Sequence, residues 1–259
     1  MADDIAIRTQ HLTKYFGSLA AVNDVSINIQ KNTLHAIIGP NGAGKTTFFN
    51  LLSGNLKPTS GEIYYHDMDL TQQPVHRMIH FGIGRSFQIT NIFPNLTVYE
   101  NIRLASQALE KKKYNIITKA EKFTDCEERT QEVLERVGLT KQASNLARNL
   151  PHGDQRKLEL GMILAPDPEV LLLDEPTAGM AAEQVPTLIE LIKEIQKKGQ
   201  KTVVLVEHNM NVVMSTSDKI TVMHLGKVLA EGKPAEIASN EDVQTAYLGG
   251  LYELDVQDA

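Results

Sequence analysis

The fold prediction starts from the stretch GPNGAGKTT at residues 39–47. This stretch matches the pattern G-x-x-x-x-G-K-[ST], and it lies between an apolar run, LHAII (34–38), and a helix-like run, TTFFNLLSG (46–54). Glycines let the backbone N–H groups of such a turn point toward a phosphate, and the helix adds the positive end of its dipole. The sequence therefore predicts a strand–loop–helix unit that binds the phosphates of a nucleotide.

Two side chains of this loop are predicted to act on the nucleotide directly. Lys45 can reach the β- and γ-phosphates, and the Thr46 hydroxyl can ligate Mg²⁺. The other predicted nucleotide contacts in the loop are Asn41, Gly42, Ala43, Gly44 and Thr47. The chain has no N-K-x-D motif with which a GTPase would read guanine, so a different class of phosphate-loop enzyme is favoured.

Two later apolar runs also end in polar residues. VLLLDEP (170–176) supplies the adjacent carboxylates of Asp174 and Glu175, and TVVLVEH (202–208) supplies His208. Short, fully apolar runs of this kind are typical of buried strands in a central parallel sheet. Because ligands bind at the carboxyl edge of such sheets, we expect these side chains to lie beside the phosphate loop.

The chemistry of these residue types suggests a role for each. One carboxylate, Asp174, fits the Mg²⁺ shell, and the next, Glu175, fits polarisation of an attacking water. His208 is predicted to sense the γ-phosphate through a hydrogen bond. Gln88, at the end of GRSFQ (84–88), has an amide that suits the Mg²⁺ or water shell, although its spacing alone favours an ordinary surface glutamine.

The overall composition limits the class of protein. The chain has 259 residues, of which 42% are hydrophobic and 22% charged, and this balance is typical of a soluble globular protein. Its net charge of −6 argues against a protein that coats nucleic acid, since such proteins are normally basic.

The sequence gives little indication of a signal peptide, a membrane span or a metal site built from cysteine and histidine. The start, MADDIAIRTQ, has no apolar core and is not expected to be a signal peptide, and no apolar run approaches the ~18 residues of a membrane span. The single cysteine, Cys126, allows neither an intrachain disulfide nor a cysteine-based zinc site, which fits a reducing compartment. His76 and His80 are four residues apart, but a surface pair is favoured over a metal site.

Patterning along the chain predicts the domain organisation. VNDVSINI (22–29) and GEIYYHDMDL (61–70) alternate as in an antiparallel sheet. Residues 92–165 have helical spacing and include a lysine-rich stretch whose Lys111, Lys112 and Lys113 are expected on a solvated face. We therefore predict an α/β phosphate-loop NTPase with a RecA-like core sheet and an antiparallel β subdomain in residues 1–91 and 166–259, and an inserted α-helical subdomain in residues 92–165.

Taken together, GPNGAGKTT, Gln88, LPHGDQ (150–155), VLLLDEP and His208 resemble the ATP-binding cassette family over essentially the whole chain. The resemblance implies ATP and Mg²⁺ as cofactors and a head-to-tail pair of cassettes that sandwich two ATP molecules. It also implies an aromatic residue stacked on adenine near the N-terminus. Phe16 matches that place, with Tyr15 as the alternative, and Val22 is also expected to contact the nucleotide.

By the same resemblance, LPHGD (150–154) is the signature loop that touches the γ-phosphate held by the other subunit. His152, Gly153 and Asp154 are the expected contacts, but Pro151 replaces the usual Ser, His152 the first Gly, and Asp154 the Gln. Loss of the Ser hydroxyl is expected to remove about 1.5–3 kcal/mol, the range for a hydrogen bond to a charged group. The following loop has Met180-Ala181 where Leu-Asp is usual, so a carboxylate that would cross the dimer is absent.

The His-Gly-Asp-Gln signature, the EPTAGM run (175–180) and a tail with AYLGG (246–250) resemble ATPase subunits of importers for branched-chain amino acids, urea or amides. This implies two membrane permeases, a second ATPase subunit, an external solute-binding protein and a position on the cytoplasmic face of the membrane. A permease helix would dock at Gln88 and ITNIFPNLTVYENI (89–102).

Four apolar residues of this region suit either docking or core packing: Ile89, Ile92, Phe93 and Leu96. Two other functions stay open, a lipopolysaccharide exporter motor and a soluble ATPase of iron–sulfur cluster assembly. A non-catalytic, regulatory cassette is disfavoured because Glu175 and His208 are both present.

Overall fold

The structure is a computed structural model that describes residues 4–86, 92–109 and 121–247. Strands and helices alternate along these residues to give an α/β architecture. The strands are β1 (Ile5–Phe16), β2 (Leu19–Val25), β3 (Asn28–Gln30), β4 (Leu34–Ile38), β5 (Ser60–Tyr65), β6 (Met68–Asp69), β7 (Ile83–Arg85), β8 (Val170–Asp174), β9 (Thr202–Val206), β10 (Lys219–His224) and β11 (Lys227–Gly232). The helices are α1 (Lys45–Leu52), α2 (Val75–Met78), α3 (Val98–Ser106), α4 (Glu121–Arg136), α5 (His152–Leu164), α6 (Val185–Gly199), α7 (Met210–Thr216) and α8 (Pro234–Ala238).

The central sheet has the strand order β11-β10-β4-β9-β8-β7 among the described residues. Neighbouring strands from β10 to β7 are parallel, and β11 is antiparallel to β10. Every residue of β4, β8 and β9 is buried, because both faces of the sheet are covered. The three runs predicted as buried parallel strands are therefore confirmed, and their carboxyl ends meet at one edge.

A second, antiparallel sheet has the order β2-β1-β5-β6, with β3 also paired to β1. The two segments predicted for this sheet, 22–29 and 61–70, both belong to it, but they do not pair with each other. The long strand β1 lies between them and pairs with both β2 and β5. Apolar residues of this sheet and of α1 share one cluster with the central sheet, including Ile7, Phe48 and Leu172.

Helices α3, α4 and α5 lie in the span that the sequence predicted to be helical. Helix α3 begins with a capping box, in which Glu100 N–H donates to Thr97 Oγ1 (3.1 Å) and Thr97 N–H donates to Glu100 Oε2 (2.7 Å). Ile102, Val133 and Leu158, one from each helix, share an apolar cluster with β8. This arrangement confirms the α/β fold class with a helical insertion, whereas the exact domain boundaries stay a prediction, and Lys111 to Lys113 lie outside the described residues.

The last described segment, residues 241–247, is helical and packs back on the central sheet. Its Val243 and Tyr247 join a cluster with Ile38 and Val222, and burial raises the pKa of the Tyr247 hydroxyl to about 12. The AYLGG stretch beyond Tyr247 lies outside the described residues. None of the described helices combines the length and the apolar character that a membrane crossing requires.

Candidate functional site

The loop between β4 and α1 adopts a conformation that requires glycine. Gly39 has φ 151° and Gly44 has φ 97°. A Cβ atom at Gly39 would lie 2.1 Å from the Met223 carbonyl oxygen, and one at Gly44 would lie 2.2 Å from the Ala21 carbonyl oxygen. Both positions therefore exclude any side chain, and the backbone of the loop packs directly against β2 and the end of β10.

Lys45 begins helix α1 with its side chain folded over the loop. The residue is 6% exposed, and its ammonium group donates hydrogen bonds to the carbonyl oxygens of Gly39 (2.7 Å) and Pro40 (3.0 Å). Burial lowers the pKa of this ammonium group, and the nearby carboxylates of Glu175 and Asp174 oppose that shift. A buried cation is thus held at the mouth of the loop, where an anionic ligand would approach.

The loop forms one wall of an open cleft of about 580 Å³. The cleft brings together the predicted loop residues, the predicted aromatic residue and two of the predicted catalytic residues. Its lining consists of Phe16, Leu19, Ala20, Ala21, residues 41–47, Glu175, His208, Leu225 and Gly226.

Glu175 and His208 face each other across the ends of β8 and β9. The Nε2 atom of His208 lies 2.8 Å from Glu175 Oε1, within hydrogen-bond distance. Glu175 has φ 46°, a left-handed conformation, and its N–H donates to the Val206 carbonyl oxygen at 2.9 Å. Directly after His208, Asn209 caps helix α7 with its side chain. The pair is therefore held by the backbone of two neighbouring strands.

Asp174 at the end of β8 has the properties of a cation ligand. Its side chain is 1% exposed, and neither carboxylate oxygen has a hydrogen-bond partner among the described residues. The Arg85 guanidinium is a charge partner, 3.8 Å from Oδ2. Burial raises the pKa of this carboxyl group, and Arg85 opposes the shift. Two orphaned, buried oxygens fit a site that a cation would complete.

Within the described ranges, no three histidine, cysteine or acidic residues cluster as a ready-made metal site. His76 and His80 therefore have no third ligand there, and a Mg²⁺ ion beside Asp174 would need the Thr46 hydroxyl, water and the nucleotide to complete its shell.

Arg85, which the sequence did not single out, joins β7 to the helix that follows the phosphate loop. Its guanidinium donates to Asn50 Oδ1 (2.7 Å) and to Ser53 Oγ, and it stacks 5.2 Å from the Phe49 ring centre. The next residue, Ser86, accepts a hydrogen bond on Oγ from the Asp174 N–H (2.9 Å). The segment that leads toward Gln88 therefore runs beside Asp174, although Gln88 itself lies outside the described residues.

Comparison with known proteins identifies the family. The family model described as ABC transporter matches residues 22–178, more than half of the chain. The chain belongs to the ABC transporter family. A second model, described as branched-chain amino acid ATP-binding cassette transporter, matches residues 227–252 of the same chain.

Three similar proteins agree with this membership. The high-affinity branched-chain amino acid transport ATP-binding protein LivG of Salmonella typhimurium is 41% identical over 90% of this chain and 94% of its own length. A nucleotide-free ATP-binding cassette from an ABC transporter is 30% identical with a TM-score of 0.81, covering 94% and 98% of the two chains. A dimeric cassette bound to ADP and Pi is 28% identical with a TM-score of 0.73, covering 88% and 98%. The chain is thus an ATP-binding cassette, the ATPase subunit of an ABC transporter.

Of the two aromatic residues considered for stacking on adenine in this ABC cassette, Phe16 lines the cleft and Tyr15 does not. The Phe16 side chain is 48% exposed, and the Lys14 ammonium lies 5.4 Å from its ring centre. The structure differs from the sequence prediction at Val22, which is completely buried in the apolar core and so does not face the cleft. The Val22 side chain belongs to the apolar cluster that includes Phe48 of α1, and the preceding Ala20 and Ala21 line the cleft instead.

The predicted signature loop, residues 150–154, leads into helix α5, whose first two amides have no acceptor in the described part of the chain. The Pro151 carbonyl oxygen accepts hydrogen bonds from the N–H groups of Asp154 and Gln155 (3.0 Å each), whereas among the described residues neither His152 nor Gly153 has an acceptor for its N–H. The Asp154 carboxylate accepts from Lys157 Nζ at 3.0 Å, so its charge is partly neutralised. The helix start therefore retains two amide donors for an anion despite its unusual sequence.

The three predicted signature contacts do not line the cleft of their own chain. His152 is exposed, whereas Gly153 is buried against the Gln184 side chain, whose Oε1 would lie 2.8 Å from a Cβ at Gly153. A residue larger than glycine at 153 would therefore force Gln184 to move. This separation means that His152, Gly153 and Asp154 do not contact a nucleotide in the cleft of the same chain.

Proposed function

We propose that this chain is the ATP-hydrolysing motor of an importer for branched-chain amino acids or a related small polar solute. The observation that carries the proposal is the 41% identity to LivG over 90% of the chain, together with the match of residues 227–252 to the branched-chain amino acid cassette model. The similarity to LivG favours import over lipopolysaccharide export and over iron–sulfur cluster assembly.

The geometry supports separate roles for the cleft residues in nucleotide binding, metal binding and hydrolysis. The amides of the loop and Lys45 bind the β- and γ-phosphates, and Phe16 stacks on the adenine. Thr46, Asp174 and Gln88 would hold a Mg²⁺ ion, which would supply positive charge beside the phosphates. Glu175 accepts the proton of the attacking water, and His208, 2.8 Å from it, contacts the γ-phosphate.

The site of one chain is incomplete, which favours a pair of cassettes. His152, Gly153 and Asp154 lie outside the cleft of their own chain, while two amides at the start of α5 have no acceptor within the described ranges. In a head-to-tail pair, these amides would donate to the γ-phosphate in the partner's cleft. The dimeric cassette with ADP and Pi, 28% identical to this chain, supports such a pair.

Replacing His152 with Ala tests this arrangement. We expect turnover to fall about 10- to 150-fold, because the imidazole would donate a further hydrogen bond to the partner's γ-phosphate, and one hydrogen bond to a charged group contributes about 1.5–3 kcal/mol. Nucleotide affinity of the isolated monomer should not change, because His152 does not line the cleft of its own chain. Phosphate release and equilibrium nucleotide binding measure the two quantities, and His80→Ala, at another exposed histidine, is the control. Unchanged turnover would remove His152 from the signature contact.

A groove of about 280 Å³ is the proposed docking site for a permease helix. It lies beside β7 and is lined mainly by apolar residues of α2, α3 and α5, such as Met78, Ala105 and Met162. Of the residues predicted for docking, Phe93 is 50% exposed and available, whereas Ile92 packs against the core. Leu96 is half-buried, and Ile89 lies outside the described residues. Docking here would hold the cassette on the cytoplasmic face of the membrane.

Transport in the host organism tests the proposed function. Deletion of the gene should abolish high-affinity uptake of labelled leucine, isoleucine and valine, or of urea or an amide. The wild-type gene should restore the uptake, and a Glu175→Gln copy should not. Uptake of a solute driven by a proton gradient serves as the control. Unchanged uptake of every tested solute in the deletion strain would contradict an import function.

A further inference from the structure

Glu207 is a buried carboxylate for which the hydrolysis scheme above gives no role. It directly follows β9, and 4% of the residue is exposed. Its Oε1 accepts hydrogen bonds from Thr177 N–H (3.1 Å) and from the Thr177 hydroxyl (2.6 Å), and its Oε2 accepts from His208 N–H (3.1 Å). Three donors thus bind one carboxylate, and this carboxylate belongs to the residue directly before His208, which lines the cleft.

These bonds join the two loops that carry the catalytic pair. Thr177 lies two residues after Glu175 in the loop that follows β8, and His208 is the second residue of the loop that follows β9. The backbone of the first loop is already tied to β9, since Glu175 N–H donates to the Val206 carbonyl oxygen. Glu207 adds hydrogen bonds to Thr177, two residues further along the same loop. The bond from Glu175 and the bonds from Thr177 therefore act together on the distance between Glu175 and His208.

The loop that contains Thr177 also contacts α5, the helix that follows the predicted signature loop. The Ala178 carbonyl oxygen accepts a hydrogen bond from Arg156 Nη2 at 3.3 Å. Gly179 lies beside the His152 ring, since a Cβ there would be 3.6 Å from His152 Cε1. A displacement of the Thr177 loop would therefore disturb both the catalytic pair and the start of α5.

We propose that Glu207 is a positioning residue for ATP hydrolysis, which fixes the Thr177 loop against His208 and thereby sets the geometry of the Glu175–His208 pair. The inference rests on the proposed ATP hydrolysis and adds a residue to it. A carboxylate suits this position because it accepts hydrogen bonds with both oxygens and has no proton that would oppose the N–H groups.

Replacing Glu207 with Ala should lower kcat by about 10- to 100-fold, by analogy with the loss found when residues that orient the ligands of a metal site are removed. The KM for ATP should change little, because Glu207 does not line the cleft. The kcat of Glu207→Gln should lie between those of the wild-type protein and Glu207→Ala. Its amide oxygen can still accept a hydrogen bond from Thr177, whereas its NH₂ group cannot accept one from the His208 N–H. This partial rescue separates positioning from a general loss of folding.

A double-mutant cycle with Thr177→Val sharpens the test. If Glu207 acts through Thr177, the double variant should be no slower than Glu207→Ala alone. Glu231→Gln is the matched control, because Glu231 also accepts from a threonine hydroxyl, that of Thr221 (3.0 Å), but away from the cleft. This control should lower the melting temperature and leave kcat unchanged.

Two results would overturn the inference: a wild-type kcat in both Glu207 variants, or strictly additive losses in the cycle. If Glu207→Ala fails to fold, Glu207→Gln and Thr177→Val still decide the matter because both are nearly isosteric. A wild-type protein without ATPase activity would instead refute the proposed function itself.

Discussion

Glu175→Gln is expected to lower steady-state ATP hydrolysis by about 10²- to 10⁴-fold, the contribution typical of a general base. The amide has nearly the shape of the carboxylate but cannot take a proton from the attacking water. ATP binding should persist, because Lys45 and the glycine-lined loop remain intact. Phosphate release under saturating ATP measures the first quantity, and equilibrium binding of a fluorescent nucleotide measures the second.

The structure explains why this single side chain should matter so much. Glu175 lines the cleft, and its backbone is held at φ 46° by a hydrogen bond to β9. The adjacent Asp174 is unsuited to the same role because its side chain is 1% exposed, against 27% for Glu175. Of the two adjacent carboxylates, only Glu175 has substantial access to water in the cleft.

Glu183→Gln is the matched control for this prediction. Glu183 is an exposed carboxylate in the loop between β8 and α6, eight residues after Glu175, and it does not line the cleft. Its replacement should leave hydrolysis unchanged. Equal turnover in Glu175→Gln and wild-type protein would show that another group accepts the proton of the water.

The sequence predicted those parts of the site whose geometry is local. The β4–loop–α1 unit could be predicted because the glycines, Lys45 and Thr46 are neighbours in the chain, and the loop needs little beyond its own backbone. The ends of β8 and β9 could be predicted because parallel strands bring their carboxyl ends to one edge. Val22 marks the limit of the family resemblance: the resemblance implied a nucleotide contact, whereas the structure has the side chain buried in the apolar core.

The sequence did not reveal the contacts that depend on distant segments. Arg85 reaches Asn50, 35 residues away, and Glu207 reaches Thr177, 30 residues away. Glu207 was visible as an acid at a strand end, but nothing in its own segment indicated which donors would face it. Strand β1 was also missed, because its pairing with β2 and β5 is interrupted by register shifts and its His11 has φ 49°, which breaks a regular alternation.

Lys45→Ala is expected to weaken ATP binding by about 30- to 5,000-fold, since removing one partner of a buried charge pair costs about 2–5 kcal/mol. Lys45 is 6% exposed, so little water can replace its ammonium group beside the phosphates. In the present structure that group donates to the carbonyl oxygens of Gly39 and Pro40, and a bound triphosphate would offer it stronger, charged acceptors. Calorimetric titration with a non-hydrolysable ATP analogue measures the change.

Lys201→Ala is the matched control, because Lys201 is a second buried lysine, 9% exposed, whose ammonium pairs with Asp167 at 2.9 Å. It directly precedes β9, at the opposite end of that strand from His208, so its loss should lower stability without changing nucleotide affinity. Residual binding in Lys45→Ala is expected, because the loop amides and the start of α1 still face the phosphates. A folded Lys45→Ala protein with wild-type affinity would mean that the nucleotide phosphates do not lie at this loop.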